Sequence, residues 1–415
     1  MLNFFLERTS NDLPTLPKVA QQQRLEAWIY LWKYMRQLCF YSLEKGGVLE
    51  MWLGPHSVYI LTDPDDILTV SNTCLNKSYF YEFTKDYVQN GLITSEASIW
   101  KNHRKLLNMA FSQRIIDTFI DEMNTQTREL VTNLYSQVDK GPFDMRRYLI
   151  KFTLKTVSRT SLGLDAEDQA VIDETYVHAF ESLLQVYLER IQKVYLHLSW
   201  IYDRTELKNK QDHLTNMLIT IMDSVIAKRK SERKNKKREF IEYDAVKPGN
   251  SKSRVQQIQP NNNENISKYD LAKLQYVEAV IKETLRVFAP LPGIARKIEK
   301  DVKLKNYTLR AGSTCVMKFY GVSYHSMWGP DRNEFKPERW LDPAKLPANP
   351  NAFCYFGVGK RNCIGKQFAM TLMKIVIAYV VRNYHLESDI SKLESEYEVV
   401  LKPISGNLLS LTSRS

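Results

Sequence analysis

Residues 356–382 constrain the fold of this chain more than any other part of its sequence. The chain has 15 glycines among 415 residues, yet Gly357, Gly359 and Gly365 fall within nine residues. They lead into residues 364–382, which are apolar nearly all round if they form a helix. Glycine permits left-handed backbone and lets the chain approach a flat or bulky group closely. The segment therefore predicts a tight loop that leads into a buried helix.

A reactive cysteine side chain lies in this predicted loop. Cys363 stands at the expected start of the helix, where free backbone N–H groups and the helix dipole favour a thiolate. Arg361 carries a permanent positive charge on a planar guanidinium group, whose N–H donors can bind both oxygens of a carboxylate. The pattern fits either a cofactor-binding loop or a Gly-rich turn that holds a structural cysteine.

The overall composition is that of an ordinary globular protein. The chain is 44% hydrophobic and 25% charged, enough for one large core or two joined ones. Its five cysteines include no CxxC pair, which argues against a disulfide framework or a structural zinc site and for a reducing compartment. No segment approaches the roughly 20 apolar residues of a membrane-spanning helix. Disordered, collagenous and disulfide-stapled classes are therefore excluded.

The apolar spacing predicts helices over most of residues 25–226. Residues 58–61 predict a short strand, and the Asp63-Pro64 turn marks the start of the next helix. A further helix is expected over 271–287, stopped by Pro290. Short strands are also predicted at 302–304, 307–309 and 314–318. The predicted fold class is therefore mainly α with small β-sheets (α+β).

Much of the net charge of +11 is concentrated in one segment. Residues 228–238 contain eight basic residues and one glutamate, and a segment rich in Pro, Asn and Gln follows. We interpret 228–268 as a solvated linker. A nucleic-acid-binding patch is the alternative, but no aromatic residue interleaves the run, so we expect no nucleic-acid partner.

The Gly-rich loop resembles the heme-binding loop of the cytochrome P450 family, F-x-x-G-x-R-x-C-x-G. It matches at every defined position, namely Phe356, Gly359, Arg361, Cys363 and Gly365. The resemblance implies that Cys363 is the axial thiolate ligand of heme b and that the other four residues bind the cofactor.

Further segments resemble the same family in the expected order. Trp100 and Arg104 fit its W-x-x-x-R pattern, in which one helical turn brings the two side chains together. In relatives both hold a heme propionate, and Arg296 lies where relatives place another propionate-binding cation.

A structural charge network is also implied by the resemblance. Glu283 and Arg286 fit the family's E-x-x-R signature, and 335–340 resemble its P-E-R-F segment. Arg339 is expected to complete a network with this pair behind the thiolate. His325, in a segment like the family's H-x-x-x-x-W-x-x-P stretch, is expected to be a structural loop residue.

The resemblance runs from about 53 to 408 and is closest to the clan that includes insect family-four enzymes. It implies one cytochrome P450-like domain, 53–415. The residues of the N-terminal segment before it, 1–52, show no clear membrane span. The implied activity is a heme-thiolate monooxygenase that inserts one oxygen atom of O2 into a small lipophilic substrate. Electrons would come from NADPH through a cytochrome P450 reductase, whose acidic surface would suit Lys101, Lys105, Lys360 and Lys366. Relatives imply the cytosolic face of the endoplasmic reticulum membrane as the location.

One family element is missing from this sequence. Relatives carry an A-G-x-[DE]-T-T signature on a long central helix that forms the distal wall and delivers protons. The signature is absent here, and only residues 228–268 lie between the preceding predicted helix and the E-x-x-R helix. The predicted fold is therefore incomplete in the distal helix region, and no catalytic residue is identified. Either the chain is a deletion or splice variant, or exons are missing from the sequence. The alternative function is a heme-binding pseudoenzyme or inactive truncated isoform.

Overall fold

The computed structural model describes residues 27–163, 174–236, 265–397 and 399–414. Residues 1–26 of the predicted N-terminal segment and 237–264 of the predicted linker lie outside this described part. The long helices within it are α1 (Ala27–Glu44), α4 (Ala97–Ala110), α6 (Ile120–Leu134), α7 (Arg146–Val157), α8 (Glu174–Gln192), α10 (Glu206–Lys236), α12 (Gln275–Phe288) and α14 (Lys366–Asn383). Shorter helices are α2 (Pro64–Thr73), α3 (Lys85–Val88), α5 (Gln113–Thr118), α9 (Ser199–Tyr202), α11 (Lys268–Lys273) and α13 (Phe319–Ser323).

The strands are short and form small sheets. They are β1 (Val48–Leu53), β2 (His56–Leu61), β3 (Phe143–Asp144), β4 (Ile294–Lys297), β5 (Val302–Lys303), β6 (Thr308–Leu309), β7 (Thr314–Met317), β8 (Tyr384–Glu387), β9 (Ser395–Tyr397), β10 (Leu401–Pro403) and β11 (Leu408–Ser413). The largest sheet has the order β1-β2-β7-β4, in which only β2 and β7 run parallel. The other sheets are β3-β11-β8, β9-β10 and β5-β6. The predicted mainly α class with small β-sheets is confirmed.

Local sequence signals explain several helix ends. Helix α2 begins at Pro64 as predicted, because the Asp63 carboxylate accepts the free N–H groups of Asp65 and Asp66 at 2.9 and 3.0 Å. Proline suits the first helical position, where no N–H bond is required. Helix α12 ends at Phe288, two residues before the proline that cannot continue it.

The boundary of the predicted linker was wrong at its start. Residues 228–236 continue helix α10 rather than leaving it. Lysine and arginine are good helix formers, and positive charge is favourable near a helix C-terminus. A basic run therefore extends this helix although its composition resembles a solvated loop.

The buried cores position the cysteine loop. One core packs α1, α2 and the largest sheet, and it includes Cys354 and Tyr355 immediately before the loop. A second core packs α5, α6 and α7 against α14, immediately after the loop. A third joins residues 79–84 to α8 and α10. The cysteine loop thus runs from one core to the next.

Helix α14 is buried along one face rather than all round. Phe368, Leu372 and Ile375 are at most 9% exposed, whereas the side chain of Val381 is 38% exposed. The prediction that helix α14 is buried is therefore confirmed for one of its faces. No helix in the described part of the chain is long and apolar enough to cross a membrane.

Candidate functional site

The backbone of the cysteine loop is fixed by its own hydrogen bonds. The Cys363 N–H donates to the Phe356 carbonyl at 2.6 Å, and the Gly357 N–H donates to the Cys354 carbonyl at 2.8 Å. Of the five cysteines, Cys363 is exposed and the other four are buried. The loop therefore presents one accessible thiol just before helix α14.

The loop glycines have different physical roles. Gly359 has φ +70°, and a Cβ there would lie 2.8 Å from the Ser71 side chain. Glycine is thus required both by its left-handed backbone and by its close packing on α2. Gly365 has φ −84°, a backbone conformation that other residues also adopt. A Cβ at Gly365 would meet the Cys363 sulfur at an ordinary 3.9 Å.

Two arginines, one in the loop and one next to it, are buried without a counter-ion among the described residues. Arg296 on β4 is fully buried and Arg361 is 9% exposed. Arg361 donates to the Ser95 carbonyl at 2.6 Å, and Arg296 donates to the Ala295 carbonyl at 3.1 Å. Nε and Nη2 of Arg296, and Nε and Nη1 of Arg361, have no hydrogen-bond partner in the part of the chain that the structure describes. Such groups are costly to bury unless something else pairs with them.

A third cation, Lys77, joins this pair, and sequence reasoning assigned it no role. Burial, and then repulsion by Arg296 and Arg361, lower the pKa of Lys77 well below its ordinary value. Burial, and then repulsion by Arg296, lower the pKa of Arg361 to about 10. Lys77 stacks on the Tyr81 ring at 4.6 Å. Its only sequence signal is its charge, because more than 200 residues separate it from the two arginines.

Trp100 lies beside this cation cluster, which we define as Lys77, Arg296 and Arg361. The Trp100 side chain is 6% exposed, and the Arg361 guanidinium stacks over its ring at 4.8 Å. The cluster thus has a rigid aromatic wall, contributed by helix α4.

The unpaired nitrogens fit the carboxylates of heme. Heme carries two propionates, and their negative charge would supply partners for buried donors that lack them in the protein. In the described residues, the salt bridges include none to Arg296 or Arg361. The residues present therefore fit the predicted cofactor.

Arg104 does not point into this cluster, although the resemblance grouped it with Trp100. Its Nη1 and Nη2 donate to the backbone and side-chain oxygens of Asn362 at 2.5 and 2.9 Å. Its Nε donates to Asn108 at 2.7 Å. Burial lowers the pKa of Arg104, and the Cys363 sulfur acts in the opposite direction.

The structure brings Glu283, Arg286 and Arg339 into one buried network. Arg286 donates to the two Glu283 oxygens at 2.9 and 2.8 Å, and Arg339 Nε donates to Glu283 Oε1 at 3.1 Å. The side chains are at most 1% exposed. The Trp340 indole also donates to Glu283, at 2.9 Å, which the usual phenylalanine at this place could not do.

This network is connected to the cysteine loop. Arg286 donates to the Ser323 carbonyl at 3.0 Å. The Ser323 hydroxyl is 2.9 Å from the Tyr355 hydroxyl, and Tyr355 directly precedes Phe356 at the start of the loop. The network therefore supports the loop from the side of the first core.

The remaining predicted residues lie at the surface or in loops. The four lysines proposed for reductase docking are exposed: Lys101, Lys105, Lys360 and Lys366. His325 accepts a hydrogen bond from Met327 N at 3.2 Å and begins a 3-10 turn. Leu106 and Met109 of α4 are 63% and 68% exposed. The described residues thus leave apolar side chains of α4 uncovered near Arg104.

Comparison with known proteins places these features in a family. The cytochrome P450 family model matches residues 14–247 and 250–410. The mouse protein "Cytochrome P450 4V2" is 25% identical, with 98% of this chain and 91% of that protein covered. The human protein of the same name is 26% identical with the same coverage. A Drosophila melanogaster protein, "Probable cytochrome P450 4s3", is 26% identical over 94% of this chain and 89% of its own length.

The mouse alignment also contains many positions that face gaps in this chain. The mouse alignment spans 481 positions, whereas the chain has 415 residues, so at least 66 positions of the alignment face gaps here. The family match is interrupted at residues 248 and 249, between α10 and α11.

Proposed function

The chain belongs to the cytochrome P450 family, and on this premise we propose that it binds heme b with Cys363 as the axial thiolate ligand. When bound, heme supplies oxygen activation, and a thiolate ligand favours cleavage of the O–O bond. The observation that carries the proposal is the set of buried, unpaired nitrogens on Arg296 and Arg361, close to an exposed cysteine.

The residues of the chain have separate tasks in this proposal. The cation cluster and Trp100 pair with the propionates and fix the orientation of the cofactor. Phe356, Gly359 and Gly365 give the loop its shape beside the cofactor. The buried network holds the loop through Ser323 and Tyr355, so the thiolate does not move when the cofactor binds.

The family is one of monooxygenases, and we propose this activity in detail for the chain. One oxygen atom of O2 would be inserted into a small lipophilic substrate, with electrons from an NADPH-dependent reductase. The exposed lysines beside the loop support docking of an acidic partner. By resemblance to relatives, the protein would act at the cytosolic face of the endoplasmic reticulum membrane.

A second candidate function is favoured by the alignment gap. At least 66 positions of the mouse alignment face gaps in this chain, and the A-G-x-[DE]-T-T signature is absent from it. A chain with the proximal half intact and without that distal helix would bind heme without productive oxygenation. It would then serve as a heme-binding pseudoenzyme.

Two measurements test these proposals. The reduced, carbon-monoxide-bound absorption spectrum of the heme-loaded chain reports whether a thiolate is the axial ligand. We expect the red-shifted thiolate band in the wild type and in Cys39→Ala, and its loss in Cys363→Ser. A thiolate band that survives Cys363→Ser would refute the assignment of the ligand.

Turnover separates the two candidate functions. The heme-loaded chain is mixed with reductase, NADPH and a panel of fatty acids and other lipophilic compounds, and oxidised products are measured. Product that depends on Cys363 establishes the monooxygenase. NADPH consumption without product, in a chain with the thiolate band, establishes the pseudoenzyme instead.

A further inference from the structure

The basic run at the end of helix α10 takes no part in the proposed function. Val225 is 3% exposed, whereas every side chain described between 226 and 231 is exposed. The last turns of the helix therefore extend beyond its buried part into solvent. A helix end whose described side chains are exposed can open locally at a low cost in free energy.

One hydroxyl group in this run lies among basic positions. Ser231 is exposed, and its Oγ donates to the Lys228 carbonyl at 2.9 Å within the helix. The three residues before it are Lys228, Arg229 and Lys230. Positions 228 and 234, both lysine, lie one helical turn before and after the serine, on the same face of the helix. A negatively charged group on Ser231 would therefore stand between two basic positions.

We propose that Ser231 is a phosphorylation site for a protein kinase that recognises basic residues on the amino-terminal side of its target serine. Such a kinase binds its substrate through an acidic groove, to which Lys228 and Arg229, three and two residues before the serine, are complementary in charge. The kinase transfers the γ-phosphoryl group of ATP: its bond to ADP breaks, a bond to Ser231 Oγ forms, and the hydroxyl proton passes to a base of the kinase. The proposal is independent of heme binding.

Phosphorylation would change the charge of the helix end. Residues 228–236 contain six basic residues and one glutamate, a net charge of +5. A phosphoserine adds about −2 at pH 7, which lowers this net charge to about +3. The modification therefore weakens the attraction of the helix end for an acidic surface, and it requires no change in the buried cores.

The first experiment locates the phosphate. The full chain, with heme supplied, is incubated with the catalytic subunit of cyclic-AMP-dependent protein kinase and radiolabelled ATP, and mass spectrometry of the phosphopeptides identifies the labelled residue. We expect about one phosphate per chain, on Ser231, because the basic residues before it select this serine. Ser231→Ala should lose nearly all of the label. Label confined to other serines would overturn the proposal.

Ser224 provides a matched control on the same helix. It is exposed, and its Oγ donates to the Ile221 carbonyl at 2.7 Å, as Ser231 Oγ does to the Lys228 carbonyl. It follows Asp223, however, instead of a basic run. We therefore expect Ser224→Ala to be labelled like the wild type. Equal losses of label in Ser224→Ala and Ser231→Ala would overturn the assignment.

The variant Arg229→Gln separates recognition of charge from simple exposure of the serine. Glutamine is nearly as good a helix former as arginine, so the helix end keeps its structure. We expect the KM of the kinase for the chain to rise about tenfold, because a charge complementary to the kinase is lost. An unchanged KM would overturn the proposal.

A peptide of residues 222–236 shows whether the folded chain itself is a substrate. We expect the kinase to label both the peptide and the full chain, because the exposed helix end opens locally. Labelling of the peptide alone would overturn the proposal, since it would show that the helix withholds Ser231 from the kinase.

Discussion

Replacing Glu283 by glutamine tests whether the buried network stabilises the fold. Glu283 is fully buried and accepts five hydrogen bonds. Their donors are two groups of Arg286, one of Arg339, the Trp340 indole and the Lys336 backbone N–H. Glutamine keeps the shape of the side chain but removes the charge that, among the described residues, compensates Arg286, so we expect Glu283→Gln to lower the free energy of unfolding.

The expected magnitude follows from the burial of the ion pairs. Removal of one partner of a buried pair typically costs about 3–5 kcal/mol, because the other charge is left uncompensated. Arg339 also pairs with Asp331 at 3.1 Å, which places the expected loss near 3 kcal/mol. This is a large fraction of the roughly 5–15 kcal/mol that stabilises a typical protein.

Denaturant unfolding followed by circular dichroism measures this loss. Glu278→Gln is a control on the same helix, since Glu278 is 34% exposed and its partners, Lys282 and Lys374 of α14, are 30% and 14% exposed, whereas Glu283 and its arginine partners are almost completely buried. We expect the control to cost no more than about 1 kcal/mol. Equal unfolding midpoints for Glu283→Gln, Glu278→Gln and the wild type would refute the reasoning.

The same network predicts a dependence on pH. Burial raises the pKa of Glu283, but hydrogen bonds from Arg286 and the Lys336 N–H outweigh it, and the net pKa is lowered. A carboxylate with a lowered pKa stabilises the fold above its unfolded pKa of about 4.3, and this stability is lost as the pH falls through the folded value. The difference in stability between wild type and Glu283→Gln should therefore shrink in acid, and a constant difference from pH 7 to pH 3 would contradict this assignment.

Further predictions concern the loop and its cations. Gly359→Ala should cost about 1–3 kcal/mol, because its φ is +70° and a Cβ would lie 2.8 Å from the Ser71 side chain. Gly365→Ala should leave the unfolding midpoint nearly unchanged, and equal costs for the two variants would contradict the difference in backbone geometry. Arg296→Met should stabilise the heme-free chain, because it removes a buried charge that repels Arg361 and has no salt-bridge partner among the described residues. The same change should weaken heme binding by about tenfold or more in a titration, and unchanged affinity would contradict a propionate role.

The sequence alone determined the features that depend on local geometry. The loop glycines, Cys363 and the start of α2 follow from residues that are neighbours in the chain. The pairing of Glu283 with Arg286 follows from their separation of three residues on one helix, which places both on the same face. The fold class and the family were also correct, because the helical spacing and the cysteine loop are both local patterns.

Only the tertiary structure decided which distant groups meet. Lys77 joins Arg296 and Arg361 through the packing of separate elements, and its own neighbours in sequence give no sign of this. Arg104 has the spacing from Trp100 that the family pattern requires, yet its guanidinium bonds to Asn362, 258 residues away. Helix α14 is apolar nearly all round, but its burial depends on which elements pack around it. Sequence spacing fixes the face of a helix on which a side chain lies, whereas its partner is fixed by the free energy of packing the whole chain.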